Sequence, residues 1–119
     1  MNRKYKFHNT EGIYFVSFAV KDWTDVFIRN EYKDILLESL PYCQKNKGLE
    51  IYAWCIMSSH VHLIISTKTG FLLENILRDF KRHTAKNIVL AIRENPQESR
   101  REWLLKKFLT KDGINFFGN

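Results

Sequence analysis

No stretch of the 119 residues holds the ~18 consecutive apolar side chains that a membrane-spanning helix needs, so no helical membrane span is expected. The basic start Met1-Asn2-Arg3-Lys4-Tyr5-Lys6 is not followed by an uninterrupted apolar block and cleavage site, so no secretory signal is expected either. Cysteine is scarce. Cys43 and Cys55 stand far apart with no Cys-x-x-Cys pair, which argues against a disulfide framework or a cysteine-rich zinc site. A reducing cytoplasm is then the expected compartment, and both cysteines read as small buried hydrophobes. Repeats, low-complexity tracts and interior linkers are missing too. With 45% hydrophobic and 27% charged residues, the sequence predicts a single domain over residues 1–119 around one core.

Acidic residues are outnumbered. Nineteen Lys and Arg against thirteen Asp and Glu leave a formal charge of +6. Most of that excess lies between Arg78 and Lys107, where basic residues outnumber acids by nine to four. Clustered positive charge is the footprint of a polyanionic partner, because each neutralised phosphate releases condensed counterions. A solvated helix face explains the same charge equally well. The three Trp, five Tyr and nine Phe offer stacking surfaces for bases, although most aromatics in so small a domain belong to its core.

The apolar pattern predicts a β-α-β-β-α order. Ile13 to Val20 is β-branched and aromatic on both parities, which suits a central strand covered on both faces. Asn30 is placed to cap a helix whose apolar positions are Tyr32, Ile35, Leu36, Leu40 and Cys43, with Pro41 expected to kink it or end it early. Strands at Glu50–Met57 and His60–Ser66 are joined so tightly that only a hairpin fits. A long helix then runs from about Gly70 to Ile92, with Leu73, Ile76, Leu77, Phe80, Ile88 and Ala91 inward. Arg78, Lys81, Arg82 and Lys86 lie on roughly the opposite face. A last helix covers about Ser99 to Leu109. The fold class this implies is α+β, a ferredoxin-like antiparallel sheet covered by helices. The tail Asn115-Phe116-Phe117-Gly118-Asn119 sets two aromatics almost at the terminus: they pack back, or a partner covers them, or the chain stops before its fold is complete.

The chemistry concentrates in Cys55-Ile56-Met57-Ser58-Ser59-His60-Val61-His62-Leu63-Ile64-Ile65. Side chains alternate along a strand, so His60 and His62 share a face, about 6–7 Å apart along the backbone, and can converge on one divalent cation with a third ligand from elsewhere. On spacing alone, such a pair is more often an ordinary half-exposed strand pair than a ligand set.

Three blocks in order change that reading. Ala53 to Ile64 resembles the signature of the single-tyrosine HUH transposases of the smallest insertion sequences and of relatives associated with repetitive extragenic palindromes. Phe80-Lys81-Arg82-His83-Thr84-Ala85-Lys86 resembles the helix that follows it, and Tyr14-Phe15-Val16-Ser17-Phe18 the first strand. The resemblance spans about residues 10 to 107. It implies that His60 and His62, with one further polar ligand, hold Mg²⁺ or Mn²⁺ against a scissile phosphate of single-stranded or hairpin DNA. It also implies attack by a tyrosine on a later helix to give a 5′-phosphotyrosine, in a protein that works as a homodimer. Lys81, Arg82 and Lys86 are the expected contacts to the DNA backbone.

The sequence departs from that pattern in one respect. Tyr5, Tyr14, Tyr32, Tyr42 and Tyr52 all precede the histidine pair, so none is carried over as the nucleophile. The chain is expected to be shortened at its C-terminus, without the tyrosine helix. Ser58 and Ser59 stand where Pro-Asn is commoner and are expected to shape the turn, with a hydrogen bond that orients a histidine as the alternative, while His8 and His83 read as surface histidines. Three readings follow: a transposase acting on single-stranded DNA, a non-catalytic DNA-binding remnant or domesticated relative, and a plain interaction domain with an incidental histidine pair.

Overall fold

The computed structural model describes residues 12–118; Tyr5 and His8 lie outside them. The predicted order of elements is present. Strand β1 (Tyr14–Ala19) leads through two short 3₁₀ turns (Lys21–Trp23 and Val26–Ile28) to helix α1 (Asn30–Asn46). Strands β2 (Leu49–Ile56) and β3 (His60–Thr67) follow, then helix α2 (Leu73–Glu94) and helix α3 (Arg101–Phe108). A small hairpin of β4 (Leu109–Thr110) and β5 (Gly113–Ile114) precedes the tail.

The three long strands form an antiparallel sheet in the order β1-β3-β2. This corrects the expectation for the first strand: β3 is central and β1 lies at an edge, among the described residues. The apolar character of β1 on both parities reflects an exposed aromatic, Phe15, rather than a second covering layer. On β3, Val61, Leu63 and Ile65 are at most 1% exposed and face the helices. Because residue parity decides the face, this burial sends His60, His62 and Ile64 to the opposite side. The hairpin is tight, with Met57 N–H donating to the His60 carbonyl at 2.8 Å. A register shift between Ile51 and Ala53 sets Tyr52 out of step on β2.

Helix α1 buries Tyr32, Leu36, Leu40 and Cys43, as its periodicity predicts. Two local expectations fail there. Asn30 is the first helical residue rather than the cap, and no side chain caps this end. Pro41 does not end the helix, which continues to Asn46. Proline removes a single backbone donor, and here it sits on the exposed side while Leu40 and Cys43 anchor the helix on either side of it. On α2 the inward stripe is wider than predicted, adding Thr84, Ala85 and Val89. Thr84 Oγ1 lies 3.3 Å from Ser39 Oγ of α1, a polar bond inside the helix–helix contact. At Gly48, between α1 and β2, φ is +72° and the Phe71 ring lies where a Cβ would stand, so only glycine serves this turn.

The tail packs back on the domain. Phe116 and Phe117 are buried, Phe116 meeting Phe108 at a 55° tilt with centroids 4.7 Å apart and Phe117 meeting Phe18 edge-on at 5.0 Å. Gly118 N–H donates to the Ala19 carbonyl at 3.1 Å, and Phe117 forms a single bridge to Val20. The element order is that of a ferredoxin-like unit up to its second helix. Among the described residues this one bridge is all that joins the β1 end beyond the three-stranded sheet. No helix among the described residues is long and apolar enough to cross a membrane.

The loop between α2 and α3 is fixed by one buried acid. The Glu98 side chain is fully buried and accepts from Arg29 at 3.0 Å, from the Tyr32 hydroxyl at 2.9 Å and from the Arg100 backbone N–H at 3.0 Å. Burial, with the Glu98 charge adding to it, pushes the Tyr32 phenol above its usual range, so it stays a donor. Arg100 also pairs with Asp25 at 2.7 Å and holds that carboxyl below its usual range by the hydrogen bond it donates. These contacts tie the 3₁₀ turns, α1 and α3 together. Glu98→Ala is expected to destabilise the fold by about 3 kcal/mol in urea titration, the low end for breaking a buried pair, because both guanidinium groups are a third exposed.

Candidate metal and nucleic-acid site

The open face of the sheet carries the two histidines side by side. Their rings are parallel within 6°, with centroids 6.4 Å apart. His62 stacks on Phe15 of β1 at 5.7 Å, and Trp23 of the first 3₁₀ turn meets His60 edge-on at 4.8 Å. Both aromatics are otherwise exposed, Phe15 by 66% and Trp23 by 72%. Neither serves the core.

Trp23 stands there because Asp22 and Trp23 both adopt left-handed backbone, φ +57° and +55°. Two consecutive non-glycine residues in that region carry about 1–3 kcal/mol of strain each. The fold holds the corner in place: Lys21 N–H donates to the Phe116 carbonyl, and Trp23 N–H to the Val20 carbonyl.

Each imidazole has a different environment. His60 Nδ1 is hydrogen-bonded to Ser59 Oγ at 2.8 Å. Ser59 therefore does more than shape the turn: it fixes the ring and leaves Nε2 as the outward nitrogen. Ser58 and Ser59 also anchor the turn by their carbonyls, which accept from Phe27 and Val20. His62 Nδ1 is buried and has no hydrogen-bond partner. A buried polar atom left unpaired costs about 1–3 kcal/mol, which a cation or a ligand group reaching it would relieve.

Two imidazoles on one face, one ring pinned by a hydroxyl and the other with an orphaned nitrogen, suit a divalent cation as two of its ligands. Cys55, exposed rather than buried as its sequence context suggests, and Ser17 flank His62 in register on the neighbouring strands. Among the described residues, however, no three His, Cys, Asp or Glu side chains are grouped to hold a metal.

The four described tyrosines stand elsewhere. Tyr32 is buried against Glu98, and Tyr42 stacks on His83 at 6.2 Å on the helical side. Tyr52 bonds Ser66 at the far end of β3, and Tyr14 pairs in register with Ile65 there.

The basic helix is not part of the histidine face. Phe80 of α2 meets Phe18, whose register partner is Val61, so α2 covers the opposite side of the sheet. Arg82 and Lys86 are exposed on its outer surface, turned away from His60 and His62. Lys81 does not project with them. It is half-buried, its Nζ lies 5.1 Å over the Phe18 ring, and burial lowers its ammonium below the usual lysine range. His83 is exposed, as expected, and accepts from Asn87 Nδ2 at 3.0 Å. Sequence reasoning missed Phe15 and Trp23 as neighbours of the pair, since β1 and the 3₁₀ turn meet β3 only in three dimensions.

The described residues thus form a helix-backed antiparallel sheet that carries paired histidines on its bare face. The family model described as "Transposase IS200 like" matches residues 10–113, and the chain belongs to that family, the single-tyrosine HUH transposases. Two solved structures share the fold. A REP-associated tyrosine transposase bound to a REP hairpin aligns with a TM-score of 0.61 and 17% identity, over 73% of this chain and 53% of that one. A protein from Deinococcus radiodurans R1 described as a transposase aligns with a TM-score of 0.56 and 17% identity, over 97% and 98%. The chain thus spans about half the length of the hairpin-bound transposase. No curated protein matches it by sequence.

The orphaned nitrogen gives a direct test. His62→Phe keeps the stack on Phe15 and deletes the unpaired atom, so the metal-free protein is expected to gain about 1 kcal/mol in urea titration. A loss of stability instead would mean that His62 is held by bonds of its own.

Proposed function

We propose that this chain acts in DNA transposition by binding single-stranded hairpin DNA and presenting one of its phosphates to a Mg²⁺ or Mn²⁺ held by His60 and His62. The observation that carries the reading is the parallel histidine pair on the bare sheet face, with His62 Nδ1 buried and unpartnered, in a member of this family. The hairpin bound by the similar REP-associated transposase supports the choice of DNA.

His60 and His62 would hold a Mg²⁺ or Mn²⁺ ion, which when bound would polarise the scissile phosphate and offset charge developing on its oxygens. His60 would contribute Nε2, oriented by Ser59, with Phe15 and Trp23 flanking the pair. A carboxylate, an amide or a phosphate oxygen of the DNA would complete the ligand set. The nucleophile is a tyrosine other than Tyr14, Tyr32, Tyr42 and Tyr52, none of which stands beside the histidines. In the alternative, non-catalytic reading, the same surface binds DNA and cuts nothing.

Arg82 and Lys86 are proposed to hold the backbone of a hairpin that reaches around to the helical side, with Lys81 contributing at the sheet edge. The proposed working unit is a homodimer. The more than half-exposed Tyr52, Trp54 and Met57 along the outer strand support this, and sedimentation velocity is expected to show a dimer.

His60→Ala with His62→Ala is expected to abolish Mn²⁺ binding in electron paramagnetic resonance titration while changing stability by only about 1 kcal/mol. With a labelled hairpin and Mn²⁺, wild-type protein is expected to bind with an affinity that falls as salt rises. A covalent protein–DNA adduct would establish cleavage, and binding without one the non-catalytic reading. Unchanged Mn²⁺ binding by the double variant would sink the metal site.

A further inference from the structure

Beside the histidine face, the Lys21–Trp23 corner and the outer side of α3 enclose an open depression of about 270 Å³, lined by Lys21, Asp22, Trp103, Lys106 and Lys107. Helix α3 is anchored by Leu104 and Phe108, both fully buried, whereas Trp103 is 53% exposed. Packing therefore does not account for the indole. Lys107 Nζ lies 4.9 Å from its ring centre and pairs with Asp22 Oδ2 at 3.0 Å. Lys21 Nζ donates to the Lys107 carbonyl at 3.1 Å, joining the corner to the end of α3. The hydrogen bond from Lys107 holds the Asp22 carboxyl below its usual range, so a carboxylate sits on this lysine as a phosphate oxygen would.

The corner links two places. Asp22 touches Lys107 on one side, and its neighbour Trp23 touches His60 on the other, both residues in the strained left-handed conformation. An exposed ring ringed by lysines has the chemistry of an unpaired nucleotide's partner: a flat apolar face for the base and cations for its phosphate. Paired bases in a duplex offer no such free face.

We propose that the Trp103 depression is a stacking site for one unpaired nucleotide of single-stranded DNA, with the base on the indole and the phosphate on Lys106 and Lys107. The phosphate replaces Asp22 on Lys107, and the strand continues past Trp23 to His60. This rests on the reading of the histidine pair as the site that receives DNA.

Fluorescence anisotropy with a blunt DNA hairpin and with the same hairpin carrying an unpaired flank separates the two ideas. Trp103→Ala is expected to weaken binding of the flanked hairpin about tenfold, leave the blunt hairpin within about twofold, and be largely rescued by Trp103→Phe. A thermal melt coinciding with that of wild type shows that the variant is folded, as the exposure of Trp103 leads one to expect. Wild-type affinity of Trp103→Ala for the flanked hairpin, or an equal loss on both hairpins, overturns the stacking site and leaves the histidine reading standing. Failure of the wild-type protein to bind either hairpin overturns both.

Discussion

The register of β3 between its two neighbours is the constraint from which the rest of the molecule follows. Val61, Leu63 and Ile65 are nearly inaccessible, and burying three such side chains stabilises the fold by about 1.5–3 kcal/mol each. A slip by one residue would expose all three and drive His60 and His62 into the helix-facing core, where imidazoles would lack partners. The hydrophobic effect thus selects the register, and the register sets the histidines on the bare face. Site and core are two readings of one alternation.

The elements around that strand meet the same demand in different ways. Edge strand β1 lends Phe15 to His62 and Phe18 to the core from alternate faces. The hairpin turn contributes the Ser59 hydroxyl to His60 and its carbonyl to Val20, so one residue both orients the imidazole and locks the turn. In the loop before α3, Glu98 gathers Arg29, Tyr32 and the start of α3, and thereby fixes where α3 presents Trp103 and its lysines. Local strain at Asp22–Trp23 and the unpaired nitrogen of His62 lie where ligand chemistry is expected, a pattern seen when stability gives way to function.

Much of this was legible in the residues. The alternation at His60-Val61-His62-Leu63 and the three-and-four spacing of α1 and α2 are short-range signals, and the structure follows them. Failures came where a long-range partner decides the outcome. β1 is apolar on both parities, yet sits at an edge, because Phe15 covers a histidine instead of meeting a second layer. Pro41 leaves its helix intact because the flanking buried residues outweigh one missing hydrogen bond. Lys81 follows its basic neighbours in sequence but turns onto Phe18, since a flexible stem gains more along the apolar sheet edge than in water.

By itself, the sequence determined which residues alternate and which recur, and with them the order of elements, the shared face of the two histidines and the basic character of α2. Tertiary structure alone decided that α2 lies behind the sheet, away from those histidines. It also decided that Phe116 and Phe117 close back on β1, and that a strained corner carries Trp23 to His60. The physical reason is separation along the chain: a period acts between neighbours, whereas these contacts join residues dozens of positions apart, where packing of the whole core settles which surfaces meet.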